Sequence, residues 1–252
     1  MLVAGGLCIM CPLVSAAPNA NVILQTSDRI RNPNEPFSVE TSLTEYSRGR
    51  VVDQGNLIAF SREIDKTGRY STLVHIFAPA RDKDKRMLKS GNDLWIYDPI
   101  GKASVRVSPQ QRLVGATANG DVVTVNYAKD YDVSLAAEET ISDSERQPRQ
   151  AYRLALRATA PDVTYHSIDF WVDQQNSRPI KARFYTESGR LLKTAFYRRY
   201  EMAMGMQRPT EIVIIDGLDT DSVTVLRLSN YRSVQLPPSW LQRDYLPHFE
   251  IR

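Results

Sequence analysis

From Phe37 to Asn230 the chain is cut at short intervals by turn residues, and the runs between them leave room for little except antiparallel strands. Phe37, Val39, Thr41 and Leu43 alternate with Ser38, Glu40, Ser42 and Thr44, a period of two. Asn56–Ile64 and Tyr70–Pro79 follow. Leu73-Val74-His75-Ile76-Phe77-Ala78 within the latter is apolar at consecutive positions, which requires cover on both faces. Further runs are expected at Val133–Glu138, Ala151–Ala158, His166–Val172, Ile180–Tyr185, Leu191–Tyr200, Arg208–Asp216 and Ser222–Asn230. Roughly ten or eleven strands joined by short turns imply a meander, because short connections pair antiparallel neighbours. So long a sheet twists and curls, and its concave face has to be filled.

The stretch from Arg86 to Asp132 departs from this rhythm. Leu94–Tyr97 and Ser104–Val107 read as a hairpin turned by Asp98-Pro99-Ile100-Gly101. Ser108-Pro109 then gives a helix-start signal, and a second short helix is expected at Asp121, with Val122, Val125 and Tyr127 or Ala128 on one side. Asn19–Ile30 reads as an amphipathic helix stopped by Pro33 and Pro36. These three helices are the candidates to cover the concave face. A further short helix is expected from Pro237-Pro238-Ser239 to Pro247.

Leu2–Val14 is an uncharged apolar run too short to span a bilayer, followed by Ser15-Ala16-Ala17. We read residues 1–16 as a signal peptide cleaved near Ala16–Ala17, and 17–252 as a single exported domain. Both cysteines, Cys8 and Cys11, fall in the signal, so the mature chain would have neither disulfides nor thiolate metal sites. Neither cysteine follows the small residue that lipid modification requires, which favours a soluble exported protein. A formal charge of +3 with no basic stripe argues against nucleic acid as a partner. Arg81–Arg86 reads as a solvated hairpin tip, the alternative being a contact patch for an acidic partner or a lipid headgroup.

Signs of catalysis are lacking. His75, His166 and His248 have no metal-ligand spacing, and His75 reads as a hydrogen-bonded core residue. No nucleophile elbow, phosphate loop, dinucleotide fingerprint or zinc-protease motif occurs. Asp169 and Asp173 flank Trp171 and are expected to face solvent. The expectation is a binding protein without cofactor or metal, not an enzyme.

Asn92–Asp98, Arg106-Val107-Ser108-Pro109, Asn119-Gly120-Asp121 with Tyr127 and Asp130-Tyr131, and the hairpin Trp171–Pro179 leading into Ile180-Lys181-Ala182 resemble the LolA-like branch of the outer-membrane lipoprotein-sorting superfamily. The resemblance runs from Asn21 to about Tyr231. It implies a mainly β (α+β) fold: a large curved antiparallel sheet forming a half-open barrel, with a short helical lid over an apolar cavity for acyl chains. It also implies a periplasmic protein whose partners are lipid acyl chains or lipoproteins, with an inner-membrane transporter or outer-membrane receptor beside it. A sensory or accessory module of an envelope transporter or stress regulator is the alternative. An arginine on an early strand closes the lid in such carriers. Arg62 is the position to compare with it, and a surface arginine is the other reading.

The expected acyl-chain lining is Val39, Leu43, Ile58, Phe60, Leu73 and Phe77. Trp95 and Tyr97 join them, with Leu113 and Val122 from the lid. Plain core packing is the competing reading of each, and a slip of one residue in a strand inverts its set.

Overall fold

The computed structural model describes residues 18–250 except 65 and 92. The expected signal peptide, its cleavage site and both cysteines lie outside the described residues. Helix α1 (Ala20–Arg31) begins where the Asn19 side chain accepts from the N–H groups of Asn21 and Val22, at 3.0 and 3.2 Å. Arg29 and Arg31 in its last turn suit the negative end of the helix dipole. The chain then enters β1 (Phe37–Ser47), β2 (Arg50–Glu63), β3 (Tyr70–Ala78), β4 (Arg86–Ser90), β5 (Asp93–Asp98) and β6 (Ala103–Arg106). A small ladder of β7 (Arg112–Val114) and β8 (Thr117–Ala118) leads to a 3₁₀ turn, Asn119–Asp121, and to α2 (Tyr127–Asp130). Long strands resume with β9 (Tyr131–Ser142), β10 (Pro148–Ala158), β11 (Ser167–Asp173) and β12 (Pro179–Tyr185). They end with β13 (Leu191–Ala203), β14 (Met206–Asp216) and β15 (Ser222–Ser233).

Thirteen strands form one open antiparallel sheet in the order β6-β5-β4-β3-β2-β1-β15-β14-β13-β12-β11-β10-β9. Two meanders are therefore welded where β1 pairs with β15, and β6 and β9 are the outer edges. The mainly β, half-open architecture is as expected. The strand number exceeds the expected ten or eleven; β4 (Arg86–Ser90), which no expected run covers, is too short to show a clear period.

Register decides which side chains share a face. Val39, Ala59, Val74, Met87 and Ile96 are paired in succession across β1 to β5 and point to the concave side. Their neighbours Phe60, Leu73, Leu88 and Trp95 form the matching row on the convex side. The concave face carries the main core, closed by α1 and the 119–131 segment. The convex row is covered instead by the C-terminal tail, whose Leu236, Leu246 and Phe249 are buried against it.

The helix expected after Ser108 does not form. The Ser108 hydroxyl accepts from Gln110 N–H at 3.2 Å, but the result is a turn, and Arg112–Val114 go into β7. Gly115 (φ +54°) stops any helix there within one turn and a half, too few residues to propagate one. A Cβ at that position would also lie 2.2 Å from Thr224 Oγ1. The second expected helix divides into the 3₁₀ turn and α2, and the tail helix into two 3₁₀ segments, Pro238–Leu241 and Arg243–His248.

Candidate functional site

Between the concave sheet and its cover lies a cavity of about 140 Å³. Val39, Ala59, Ile214 and Leu226 line it from the sheet, and Val122 and Tyr127 from the cover. Its size is comparable to the ~150 Å³ engineered cavity that accepts one benzene molecule. Its walls are mainly apolar, with Arg31, Asp121 and Thr124 among the polar groups that reach it, and they suit an apolar group.

Polar groups hold the cover in place at its two ends. At one, Arg31 forms an ion pair with Asp28 and donates to the Val125 carbonyl at 3.2 Å, its guanidinium 3.8 Å above the Tyr127 ring. Asn32 donates to the same carbonyl at 2.9 Å, and Asp28 accepts from Ala128 N–H at 2.8 Å. Thus α1 is fastened to the 122–128 segment. Buried Arg208 donates to the carbonyls of Arg29 and Ile30 at 2.8 and 2.9 Å, which ties the end of α1 to β14.

At the other end Asp121 accepts from Ala118 N–H (2.7 Å) and from the Tyr165 hydroxyl (2.8 Å), and is paired with Lys193. Lys193 also donates to the Ala116 carbonyl at 3.2 Å.

Burial sets the ionisation of these groups. It pushes the Tyr127, Tyr165 and Tyr197 phenols up, so these three side chains line the cavity as neutral groups. Burial lowers Lys193, and the Asp121 carboxylate opposes it. For Arg31, burial works against the charge, but Asp28 together with the Tyr127 and Tyr197 phenols holds the guanidinium above its ordinary value. Burial also raises Asp28, with Arg31 and the Ala128 N–H opposing. The Arg31 guanidinium beside the carboxylate and the Ala128 N–H donated to it support a charged pair.

The expected lining residues divide between the two faces. Val39 and Val122 line the cavity, Leu43 is on the same face in the main core, and Leu113 packs against that core. Ile58, Phe60, Leu73, Trp95 and Tyr97 are on the opposite face, packed with the C-terminal tail, and Phe77 is exposed. The cause is phase: Val39 pairs with Ala59, so the β2 residues that share its face are Leu57 and Ala59, not Ile58 and Phe60. Arg62 is also convex, donating to the Leu236 carbonyl at 3.3 Å, and so fastens the tail and not the lid. Arg31 fills the fastening role from α1, with Asp28, Arg208, Asp121 and Lys193, none of which the pattern of apolar residues reveals. One signal was present: Asp28 and Arg31 have helical i, i+3 spacing directly before Asn32-Pro33.

His75 is held by Asp84, with Nε2 3.1 Å from its carboxylate. Asp173 does not face solvent: it is buried and accepts from Gln175 and Asn176 N–H, capping the hairpin turn. The Arg81–Arg86 tip is knitted internally, Arg81 to Asp53 and Lys85 to Asp82. No cluster of three or more metal-ligating side chains occurs among the described residues, and no helix there is long and apolar enough to cross a membrane.

An open curved sheet with a fastened helical cover over an apolar cavity defines a lidded half-barrel. A LolA superfamily protein from Nitrosomonas europaea superposes with a TM-score of 0.81 at 34% identity, over 91% of this chain and 100% of that one. A DUF1329 family protein from Desulfovibrio piger gives a TM-score of 0.76 at 20% identity over 90% and 97% of the two chains. A domain assigned to outer membrane lipoprotein sorting, from Vibrio parahaemolyticus, gives 0.74 at 18% identity over 90% and 98%. A family described only as uncharacterized protein matches residues 68–248. No curated protein matches the chain. This chain belongs to the LolA superfamily.

Proposed function

We propose that the protein is an exported, periplasmic binding protein that holds lipid acyl chains under its lid, in lipoprotein sorting or transport to the outer membrane. It acts by binding and not by catalysis. The observation that carries the reading is the apolar cavity enclosed by a separable cover. Membership of the LolA superfamily supports it, as does the assignment of the Vibrio neighbour to lipoprotein sorting.

Each buried methylene contributes about 0.8 kcal/mol, so a chain of about a dozen gains roughly 10 kcal/mol without a polar contact. A cavity of about 140 Å³ accepts only a fraction of such a chain. Loading therefore requires α1 and the 119–131 segment to part from one another, which breaks the bonds of Arg31 and Asn32 to Val125. Those bonds set the resistance to entry, and the chain, once bound, replaces them with apolar contact.

The test is native mass spectrometry with lipid extraction on protein purified from its own envelope, beside uptake of a fluorescent fatty acid. The expected result is co-purified acyl lipid or lipoprotein, and uptake abolished by Ala59→Phe, which fills the cavity from the sheet side. The same spectrum reads the mature N-terminus, expected near Ala17. An empty protein that takes up no fatty acid overturns the carrier reading. It leaves the accessory or sensory module, whose partner would sit on the outer surface.

A further inference from the structure

A second hollow of about 730 Å³ opens at the end of the sheet, where the β7–β8 ladder leans over the turns after β10 and β12. That volume is within the range of small-molecule sites. Unlike the cavity under the lid, it has charged and polar walls: Arg112, Thr117, His166, Arg190, Lys193 and Asp216. The two hollows are neighbours. Tyr165 lines both, Asp121 lines the apolar cavity and Lys193 the polar cleft, so the partition is one phenol and one ion pair.

The polar groups of the cleft are unevenly used. Asp216 accepts from Leu218 and Asp219 N–H at 2.8 and 3.1 Å and has Arg112 at 3.4 Å. Lys193 is engaged by Asp121 and the Ala116 carbonyl. Arg190, in contrast, forms no ion pair among the described residues, and most of the Arg112 fork is unused. The Thr117 hydroxyl is fully buried at the cleft wall with no hydrogen-bond partner among the described residues. A buried hydroxyl without a partner is costly, and a bound acceptor would relieve it. Glu187 also lines the cleft, so what the cleft can hold is decided by the placement of donors and not by bulk charge.

We propose that cavity and cleft are two halves of one site for an anionic amphiphile. The hydrocarbon chain enters the cavity past Tyr165, and the phosphate or carboxylate of the head stays in the cleft, held by Arg112 and Arg190 with Thr117. Guanidinium groups suit this task because their fork matches both oxyacids. The inference rests on the acyl-chain reading and adds the chemistry of the head. It also assigns Tyr165 and the Asp121–Lys193 pair the place of the threshold between the two.

Isothermal titration of the purified chain with dodecyl phosphate, dodecanoate, dodecanol and dodecyltrimethylammonium tests it. Either acid is expected to bind about tenfold more tightly than the alcohol or the cation, as two solvent-accessible charge-assisted contacts allow. The order of the two acids tells which one the site reads. In the double variant Arg112→Gln, Arg190→Gln, the ratio of acid to alcohol affinity is expected to fall toward one. Both side chains are exposed, so the variant should melt as the parent does; the head-group series on the parent decides the matter even if it does not. Equal binding of all four heads overturns this inference and leaves the acyl-chain reading standing. Failure of every chain to bind removes both.

Discussion

The same strands present two apolar faces, and each is covered by chain from outside the sheet in a different way. On the convex side the tail packs as a core does. Phe60, Trp240 and Phe249 meet edge to face, with centroids 4.9 to 5.7 Å apart. On the concave side the cover leaves a cavity and is held at its ends by buried polar and charged groups. Close aromatic packing gains its energy from many small contacts and has no release point. A few polar bonds around an unfilled space can be broken together. The first cover is built as a wall, and the second has the construction that the proposed lid requires.

Four changes would break or sharpen that contrast. Phe249→Ala, in the wall, should lower stability by about 4 kcal/mol in urea unfolding, since the aromatic is buried and its site cannot collapse onto the sheet. A loss below about 1 kcal/mol would make the tail another lid. Asp121→Asn, on the lid side, leaves Lys193 buried without its counter-ion and should cost about 3 kcal/mol. The expected accompaniment is faster amide exchange across 116–128, with the tail unaffected; loosening of both covers would show that they are one unit.

Glu211 lies on the convex face between these covers, 1% exposed, with Arg198, Arg199 and Arg227 around it. Burial alone would raise its carboxyl, but the bond and charge of Arg198, with the other two arginines, bring it below the ordinary 4.5. Its stabilisation is therefore complete above that value and is lost as pH falls through the depressed folded one. Glu211→Gln should be less stable than the parent at neutral pH, with the two melting curves converging in acid. A constant gap down to pH 3 would mean that the carboxylate charge is irrelevant. Smallest is Asn32→Ala, which removes one bond from the lid and should cost about 1 kcal/mol. By shifting the lid toward its open form it should speed fatty-acid uptake about fivefold. A slower uptake would place the entry elsewhere.

How far the sequence could be read follows from the same two faces. Alternation within β1 was plain, so Val39 and Leu43 were assigned to one side correctly. The run Leu73–Phe77 announced that both of its sides are covered, which is so apart from Phe77 near the strand end. Carrying phase from one strand to the next was beyond reach, because pairing sets it. Ser38 and Glu40, on the polar side of β1, stand beside Phe60 and Ile58, so hydrophobicity does not continue across the join. The register also slips between Glu45 and Tyr46 and again between Asn56 and Leu57. One signal in the sequence went unused: Leu236, Trp240, Leu246 and Phe249 lie beyond the last strand and needed an apolar surface to rest on. Apart from the i, i+3 spacing of Asp28 and Arg31, the lid fastenings leave no trace in the sequence, because ion pairs such as Asp121–Lys193 join residues far apart in the chain.

The sheet is never closed: β6 and β9 end it without pairing to each other. A barrel sealed by hydrogen bonds has a fixed circumference and a bore that strand number dictates. An unsealed one behaves as a spring clip. Small changes of twist, shared among many strand pairs, alter its curvature without breaking a ladder bond. If the concave face holds acyl chains as proposed, that freedom would let one scaffold fit chains of different thickness.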